Sequence, residues 1–404
     1  MKLSQPRQFL KEAEGKRGPK HPRIIHLLLG LPSPHTMTGI NVVVHHLAQN
    51  MWELNYPVEV WSLNDHLSPA FTPEYPLFIF IRHQNRFRLS SNIVQAIKEL
   101  PSDSMVHIHA IFTLEVRKIA GLLKKQGISY VFTPHGALAY KSFKKNPWLK
   151  IPYFLFFERF IIRHASGIHA LGAWEAKELQ RWNPHVHIIP NAMEILDLDD
   201  PSLTPESPDQ LRFCFLGRLT IYIKGLDLLL EGFRRYRLAG GQGKLRIIGG
   251  GQEEEKFHKL VQQSGVADYV ELMGPRFGQE KNALISECQV FVLTSRSEGM
   301  PLSVLEGASL AKSLLVSPQT NMDQHVRAHQ AGIALQENTA SLIQEALHTF
   351  EAHFKEGTLP AWGQQARQMV TDSFHWPKVA QRLIEEMYMK EVRRKPQEGL
   401  ENGS

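Results

Sequence analysis

Short apolar runs alternate with longer amphipathic segments along most of the chain. Six runs are strand-length: Ile24–Leu29, Val58–Trp61, Val106–His109, Tyr130–Thr133, Gly167–Ala170 and His187–Ile189. Segments with helical spacing lie near 40–54, 91–100, 113–125, 150–164 and 173–182. Apolar strands separated by helices are what a parallel sheet covered on both faces requires. The alternation breaks after residue 193. From Glu194 to Gln210 there are six acids, no bases, and Pro201, Pro205 and Pro208, the composition of a linker. It then restarts, with strands at Leu211–Leu216, Leu245–Ile248, Val270–Leu272, Val290–Leu293 and Leu314–Val316. Helices are expected near 225–238, 252–264, 279–286, 301–311, 339–352 and 361–372, and a last one near 377–394 carries Val379, Leu383 and Met387 on one face.

The pattern predicts an α/β protein of two doubly wound parallel-sheet domains, 23–193 and 211–375, followed by a helix over 376–395. Ligands of such sheets bind at the carboxyl ends of the strands, so a cleft between the two domains is the expected site. No repeat in sequence relates the halves.

Composition narrows the class. Over 404 residues, 43% are hydrophobic and 21% charged, which excludes disordered, collagenous and coiled-coil chains. The net charge is +6, but residues 1–23 hold seven bases against two acids, leaving only +1 elsewhere. The excess belongs to a basic tail over 1–22 expected to be disordered, so net charge carries no argument for nucleic acid. No apolar stretch reaches the roughly 20 residues of a membrane span. The longest, from Ile151 to Ile162, is interrupted by Glu158 and Arg159, and the N-terminal charges precede no apolar region. Cys214 and Cys288 sit in apolar runs without zinc-ligand spacing, so both are expected buried and reduced. A soluble, cytoplasmic protein is the expectation.

Two segments carry candidate chemistry. Thr294-Ser295-Arg296-Ser297-Glu298-Gly299-Met300-Pro301-Leu302-Ser303-Val304-Leu305-Glu306 follows a strand, turns at Gly299, and opens a helix with Pro301 at its first position. The unpaired amides of Leu302 and Ser303 then favour a phosphate. Glu298 and Glu306 bracket that anion site and could accept hydrogen bonds from sugar hydroxyls. A plainer reading leaves Glu298 to neutralise a helix start and Glu306 as a solvated helix residue. In the second segment, Phe215-Leu216-Gly217-Arg218, a strand ends in Gly-Arg; after a short loop Lys224-Gly225 opens the next helix. Two cations on one strand-end loop suit a diphosphate, Arg218 as a fork and Lys224 as a movable point charge. Two unremarkable surface charges are the alternative.

These segments, with Ile247-Ile248-Gly249-Gly250-Gly251 between them, occur in the order seen in glycosyltransferase family 4, retaining nucleotide-sugar-dependent enzymes of the GT-B fold. Thr38-Gly39-Ile40-Asn41, Thr133-Pro134-His135-Gly136 and Ile189-Pro190-Asn191-Ala192 resemble the same family over the first half. The resemblance implies that Arg218 and Lys224, with Gly217, hold the donor diphosphate. Glu298 and the backbone of Gly299 and Met300, next to Pro301, Leu302 and Ser303, would meet the donor sugar and phosphate, and Glu306 the ribose. Gly39 would allow close approach of the first domain's loop, His135 would line the donor-sugar and acceptor site, and the last helix would cross back to the first domain. Gly299-Met300-Pro301 departs from the family's usual Gly-Phe-Gly, and five residues rather than four separate Arg218 from Lys224.

Other features have plainer explanations. Asp197-Leu198-Asp199 spells a metal-binding Asp-x-Asp but lies in the acidic linker, and no metal or other cofactor is expected. The glycine triplet reads as close packing. His109 ends a strand on the acceptor side, where a functional and a packing role both fit. Residues 141–163 interleave Lys141, Lys144, Lys145, Lys150, Arg159 and Arg163 with Trp148, Tyr153, Phe154, Phe156, Phe157 and Phe160. Either this segment meets the anionic cytoplasmic face of a membrane, or it is a core helix with a basic rim serving an anionic or lipid-linked acceptor. The expected activity is transfer of a sugar from a UDP- or GDP-sugar to a carbohydrate or lipid-linked acceptor in polysaccharide or glycolipid biosynthesis. A nucleotide-sugar epimerase and a non-catalytic nucleotide-sugar-binding scaffold are the alternatives.

Overall fold

A computed structural model describes residues 22–33, 39–66, 72–109, 113–136, 153–198 and 210–394. The basic tail to residue 21, most of the acidic linker and residues 141–152 of the basic-aromatic segment lie outside these residues. The chain divides into two compact units, Met1–Pro190 with Trp376–Ser404, and Asn191–His375.

The first unit is built on seven parallel strands: β1 (Ile24–Leu29), β2 (Val58–Asn64), β3 (Leu77–Ile81), β4 (Met105–Ile108), β5 (Ser129–Phe132), β6 (Gly167–Ala170) and β7 (Val186–Ile188). Their order is β3-β2-β1-β4-β5-β6-β7. The unexpected strand is β3, a half-buried edge preceded by Pro73 and Pro76. Proline is tolerated there because the Pro76 carbonyl still accepts from Val60 N, at 2.9 Å, and its own missing N–H is not needed at an edge.

The sheet's two faces differ in chemistry. Ile25, Leu27, Val106, Ile108, Tyr130, Phe132, Ile168 and Ala170 belong to one apolar core, shared with Ile93, Ile97, Val116, Ile119, Leu123, Ile161 and Ile162 from the helices over that face. The alternate positions put His26, His107, Thr133 and His169 on the other face, all buried. Helix Gly39–Glu53 contributes Met51 there, and the C-terminal segment contributes Tyr388. That segment runs helically from Trp376 to Arg393, with a wider π turn over Leu383–Tyr388 that buries Leu383, Ile384, Met387 and Tyr388 together.

The second unit has six parallel strands: β8 (Arg212–Leu216), β9 (Lys244–Ile248), β10 (Val270–Gly274), β11 (Val290–Leu293), β12 (Ser313–Val316) and β13 (Gly332–Ala334). They run in the order β10-β9-β8-β11-β12-β13. The last is three residues long, too short to stand out as an apolar run. Strand order reverses between β1 and β4 in one sheet and between β8 and β11 in the other, the switch points where open sheets of this kind hold ligands. Both cysteines are buried and free. Among the described residues no helix is long and apolar enough to cross a membrane.

Candidate active site

At the second switch point, the exits of β8 and β9 interlock. Gly217 N donates to Ile248 O at 3.0 Å, and Leu219 N to Gly250 O at 3.0 Å. Gly249 has φ +149°, and a Cβ there would stand 1.9 Å from Gly217 O, so only glycine fits. The glycine triplet is thus packing that seats the Gly217-Arg218 loop. The stem of Arg218 passes over Gly251, with Cγ 3.1 Å from where a Cβ would lie. Its guanidinium is on an exposed residue and has no side-chain hydrogen bond or ion pair among the described residues.

Lys224 does not open the next helix, as the pattern suggested. It ends a one-turn helix, Ile221–Lys224, which Gly225 closes at φ +64° before helix Leu226–Leu238 begins. A Cβ on Gly225 would stand 1.9 Å from Thr294 O, so this glycine lets the β8 exit approach the β11 exit. Across that approach Lys224 Nζ lies 2.6 Å from Glu298 Oε1, and Ser295 Oγ donates to the same oxygen at 2.6 Å. Lys224 and Glu298 are therefore one ion-paired unit rather than two separate contacts. Their side chains are 18% and 13% exposed, which leaves the pair reachable and weakly screened.

The Glu298 loop is pinned along its length. Glu298 N donates to Gln319 O at 3.1 Å. Asn321 Nδ2 donates to the carbonyls of Glu298 at 3.1 Å and Gly299 at 2.5 Å, and Asn191 Nδ2 to that of Met300 at 3.3 Å. Ser317 Oγ donates to Ser295 O and Asn338 Nδ2 to Thr294 O, both at 2.6 Å. With the carbonyls tied back, the amides of Gly299 and Met300 have no backbone acceptor among the described residues. Helix Leu302–Ser309 starts one residue later than expected. Pro301 is its extended N-cap, φ −78° and ψ 114°, rather than its first helical residue, and no side chain caps it. The amides of Leu302 and Ser303 fall in the first turn, where no carbonyl of the helix can pair with them. Four amides and two cations thus border the β8–β11 switch point.

Glu306 is not the solvated residue of the plainer reading. Its Oε2 is buried, and Lys281 Nζ, on helix Gly278–Ser286, lies 2.8 Å away, in an ion pair without hydrogen-bond angles. No local pattern marks Lys281, Asn321 or Asn338, because each reaches the site from a different element.

In the first unit the two expected histidines come together. His109 Nδ1 and His135 Nε2 are 3.1 Å apart. His135 takes φ +50°, rare outside glycine, and Gly136 follows at φ +76°. The turn is anchored from below: Gly136 N donates to buried Glu175 Oε1 at 2.6 Å, and Leu171 N to its Oε2 at 2.9 Å. Burial raises the Glu175 carboxyl above its ordinary pKa, against those two hydrogen bonds. Gly39 is the first residue of its helix and is exposed. Gly30, after β1, is constrained instead, at φ +81°; Asn41 Nδ2 lies 3.0 Å from where its Cβ would stand and donates to Leu31 O at 2.8 Å. His26, His107 and His169, which the alternation of β1, β4 and β6 could have disclosed, stand behind His109 and His135. Burial, then repulsion from His169, depresses His26 and His135 to about 3; burial also holds His169 at about 4 and takes His107 and His109 well down. All five rings are neutral at pH 7.

Two nucleotide-binding-type sheets with a cationic, amide-lined switch point define a class, and comparison gives it a family. Residues 37–195 match the model described as Glycosyltransferase Family 4, and residues 210–351 that described as Glycosyl transferases group 1. The chain belongs to this glycosyltransferase family. It is 26% identical over 181 residues to WcaL of Escherichia coli, named for colanic acid biosynthesis, a match covering 43% of this chain and 44% of that protein. The chain thus spans less than half the length of that relative. With the uncharacterized glycosyltransferase MJ1178 of Methanocaldococcus jannaschii it shares 20% identity across 84% of this chain and 91% of the other. The sucrose-phosphate synthase of Thermosynechococcus elongatus has the same fold, with a TM-score of 0.70 at 18% identity over 91% of this chain and 98% of its own. HepE of Anabaena, solved in complex with UDP-glucose, aligns with a TM-score of 0.67 at 14% identity over 91% and 99%. The fold is GT-B.

Proposed function

We propose that the protein transfers a sugar from a UDP- or GDP-sugar to an acceptor hydroxyl, with retention of anomeric configuration, in polysaccharide or glycolipid assembly. The observation that carries this is the Lys224–Glu298 pair, which ties the strand-end segment carrying the exposed Arg218 to the segment that leads into the uncapped start of helix Leu302–Ser309. As the glycosidic bond to the diphosphate breaks, negative charge grows on the leaving group. Preorganised donors aimed at that charge lower the barrier most. Lys224, Arg218 and the amides of Leu302 and Ser303 serve that purpose. Glu298, held by Lys224 and Ser295, accepts from sugar hydroxyls together with the amides of Gly299 and Met300. Glu306 accepts from the ribose, exchanging its ion pair with Lys281. The first unit binds the acceptor, with His135 and His109 on its acceptor side and Gly39 at a helix start.

Nucleotide sugars are supported as donors by HepE, solved with UDP-glucose, and by a Mycobacterium tuberculosis relative named a GDP-mannose-dependent mannosyltransferase, 24% identical over 169 residues. The test is a panel of UDP-, GDP- and ADP-sugars, with product formation followed on an acceptor and the new anomeric centre read by NMR. Transfer with retention from one donor class supports the reading. Release of free nucleotide without an acceptor indicates an epimerase-like enzyme, and binding without turnover a scaffold; either overturns it.

A further inference from the structure

Behind the expected site histidines of the first unit runs a buried hydrogen-bond network that the transfer reaction does not account for. One row links His135 Nε2 to His109 Nδ1 at 3.1 Å, His109 Nε2 to His26 Nδ1 at 2.9 Å, and His26 Nε2 to Met51 Sδ at 3.5 Å. A second links Tyr388 OH to His107 Nδ1 at 2.5 Å, His107 Nε2 to Thr133 Oγ1 at 2.6 Å, Thr133 Oγ1 to His169 Nδ1 at 2.8 Å, and His169 Nε2 to Ile189 O at 2.7 Å. The rings of His107 and His109 lie against each other between the rows, tilted by 32° with centroids 3.9 Å apart.

A neutral imidazole has one N–H and one lone pair, so in a row each ring donates on one side and accepts on the other. One end then sets the direction of the whole row. A thioether has no proton to give, so His26 must donate from Nε2 to Met51, which leaves Nδ1 bare. His109 then donates from Nε2 to His26, and His135 from Nε2 to His109. The Ile189 carbonyl, which also only accepts, directs the second row: His169 donates from Nε2, Thr133 donates to His169, His107 donates from Nε2 to Thr133, and Tyr388 donates to His107. Both ends thus put all five rings in the Nε2–H form. His135 Nδ1, at the open end, keeps its lone pair and has no partner among the described residues.

We propose that His26 and His109 are positioning residues that lock His135 in its Nε2–H form, so that His135 Nδ1 accepts a hydrogen bond from a substrate hydroxyl. The contact with substrate rests on the sugar-transfer reading; the lock does not. The row fixes a proton position and does not conduct. A proton entering at His135 would have to end on His26, which is buried against a thioether and has no carboxylate partner among the described residues. The donor atoms of His26, His107 and His109 also lie within 4.8 Å of one another, close enough for three ligands of one metal ion. Yet all six of those nitrogens already have hydrogen-bond partners. The 2.9 Å His26–His109 contact is also shorter than the roughly 3.3 Å between ligands on tetrahedral zinc with Zn–N bonds of about 2.0 Å.

The test is long-range proton–nitrogen NMR on the full chain labelled with 15N-histidine, signals being assigned by single His→Gln variants. Pyrrole-type Nε2 and pyridine-type Nδ1 are expected for His26, His107, His109, His135 and His169. In His26→Leu the acceptor for His109 is gone, so the His109 and His135 signals should shift to tautomer mixtures. The transfer rate should fall roughly tenfold, one neutral hydrogen bond's worth, with nucleotide affinity unchanged. His109→Gln is the second variant should His26→Leu fail to fold, and the same mixing at His135 is expected. A protonated Nδ1 on His135 in the wild-type chain overturns the lock. So does stoichiometric zinc uptake that removes the Nε2–H signals. Retained tautomers with no detectable transfer from any nucleotide sugar leave the lock standing and overturn only the transfer reading.

Discussion

The Lys224–Glu298 pair is where residue chemistry decides most. At 2.6 Å, with Ser295 on the same carboxylate oxygen, neither charge acts alone. Lys224→Ala removes one preorganised cation and leaves Glu298 without its counter-charge. Turnover is expected to fall about 100- to 1000-fold, as for one lost transition-state donor worth ~3–4 kcal/mol; near-normal kcat in the purified variant would reject the role. A double-mutant cycle with Glu298→Gln should show coupling of about 1 kcal/mol or more, since residues in one ion pair do not act additively. Additive losses would mean separate contacts. For Glu306→Ala weaker nucleotide binding is expected by calorimetry, with little change in kcat. Unchanged affinity would count against a ribose contact. Both acids and both cations stand in strand-end segments whose order along the chain is legible, which is why the sequence discloses them. Lys281, Asn321 and Asn338 are not legible, because only tertiary folding brings them to Glu306, the Glu298 carbonyl and the Thr294 carbonyl.

At the scale of elements, strands read well where burial on both faces makes long apolar runs and poorly where it does not. β3 is a half-buried edge introduced by prolines, and β13 is three residues long. The one-turn helix Ile221–Lys224 is too short for any periodicity and depends on Gly225 to end it. The histidine-bearing face of the first sheet was legible as the alternate positions of β1, β4 and β6, but a polar residue in an apolar run is easily taken as packing. That face has a measurable cost in acid. His26 and His169 have folded values of about 3 and 4, below the ordinary 6.5, so the unfolded chain takes up protons first. Stability is full above pH 6.5 and falls as pH drops towards 4. Each histidine contributes a slope approaching 1.4 kcal/mol per pH unit, together roughly 3. Denaturant unfolding of the first unit, followed between pH 7 and 4.5, should show this decline. A flat profile would contradict neutral buried histidines.

For the whole molecule, the two doubly wound sheets are legible, because alternation of strand and helix is a long-range signal that single misread elements do not erase. The C-terminal segment Trp376–Arg393 belongs to the first unit although it follows the second in sequence. Its amphipathic spacing is legible, but nothing in the spacing alone says which unit it covers; Tyr388 against His107 does. The charge arrangement has a consequence at this scale. On the proposed reading, Arg218, Lys224 and the helix start supply positive charge to a diphosphate, so the leaving group needs no divalent ion. Transfer is therefore expected to persist in excess EDTA, and loss of activity restored by magnesium or manganese would contradict that arrangement. The most direct measurement is the melting temperature of the wild-type chain and of Lys224→Ala with millimolar UDP-, GDP- and ADP-sugars. Ligand that binds the folded state raises the midpoint by mass action. One nucleotide-sugar class is expected to raise it for the wild type and to raise it much less for Lys224→Ala. No shift with any donor, or equal shifts in both proteins, would contradict a diphosphate gripped at the β8–β11 switch point.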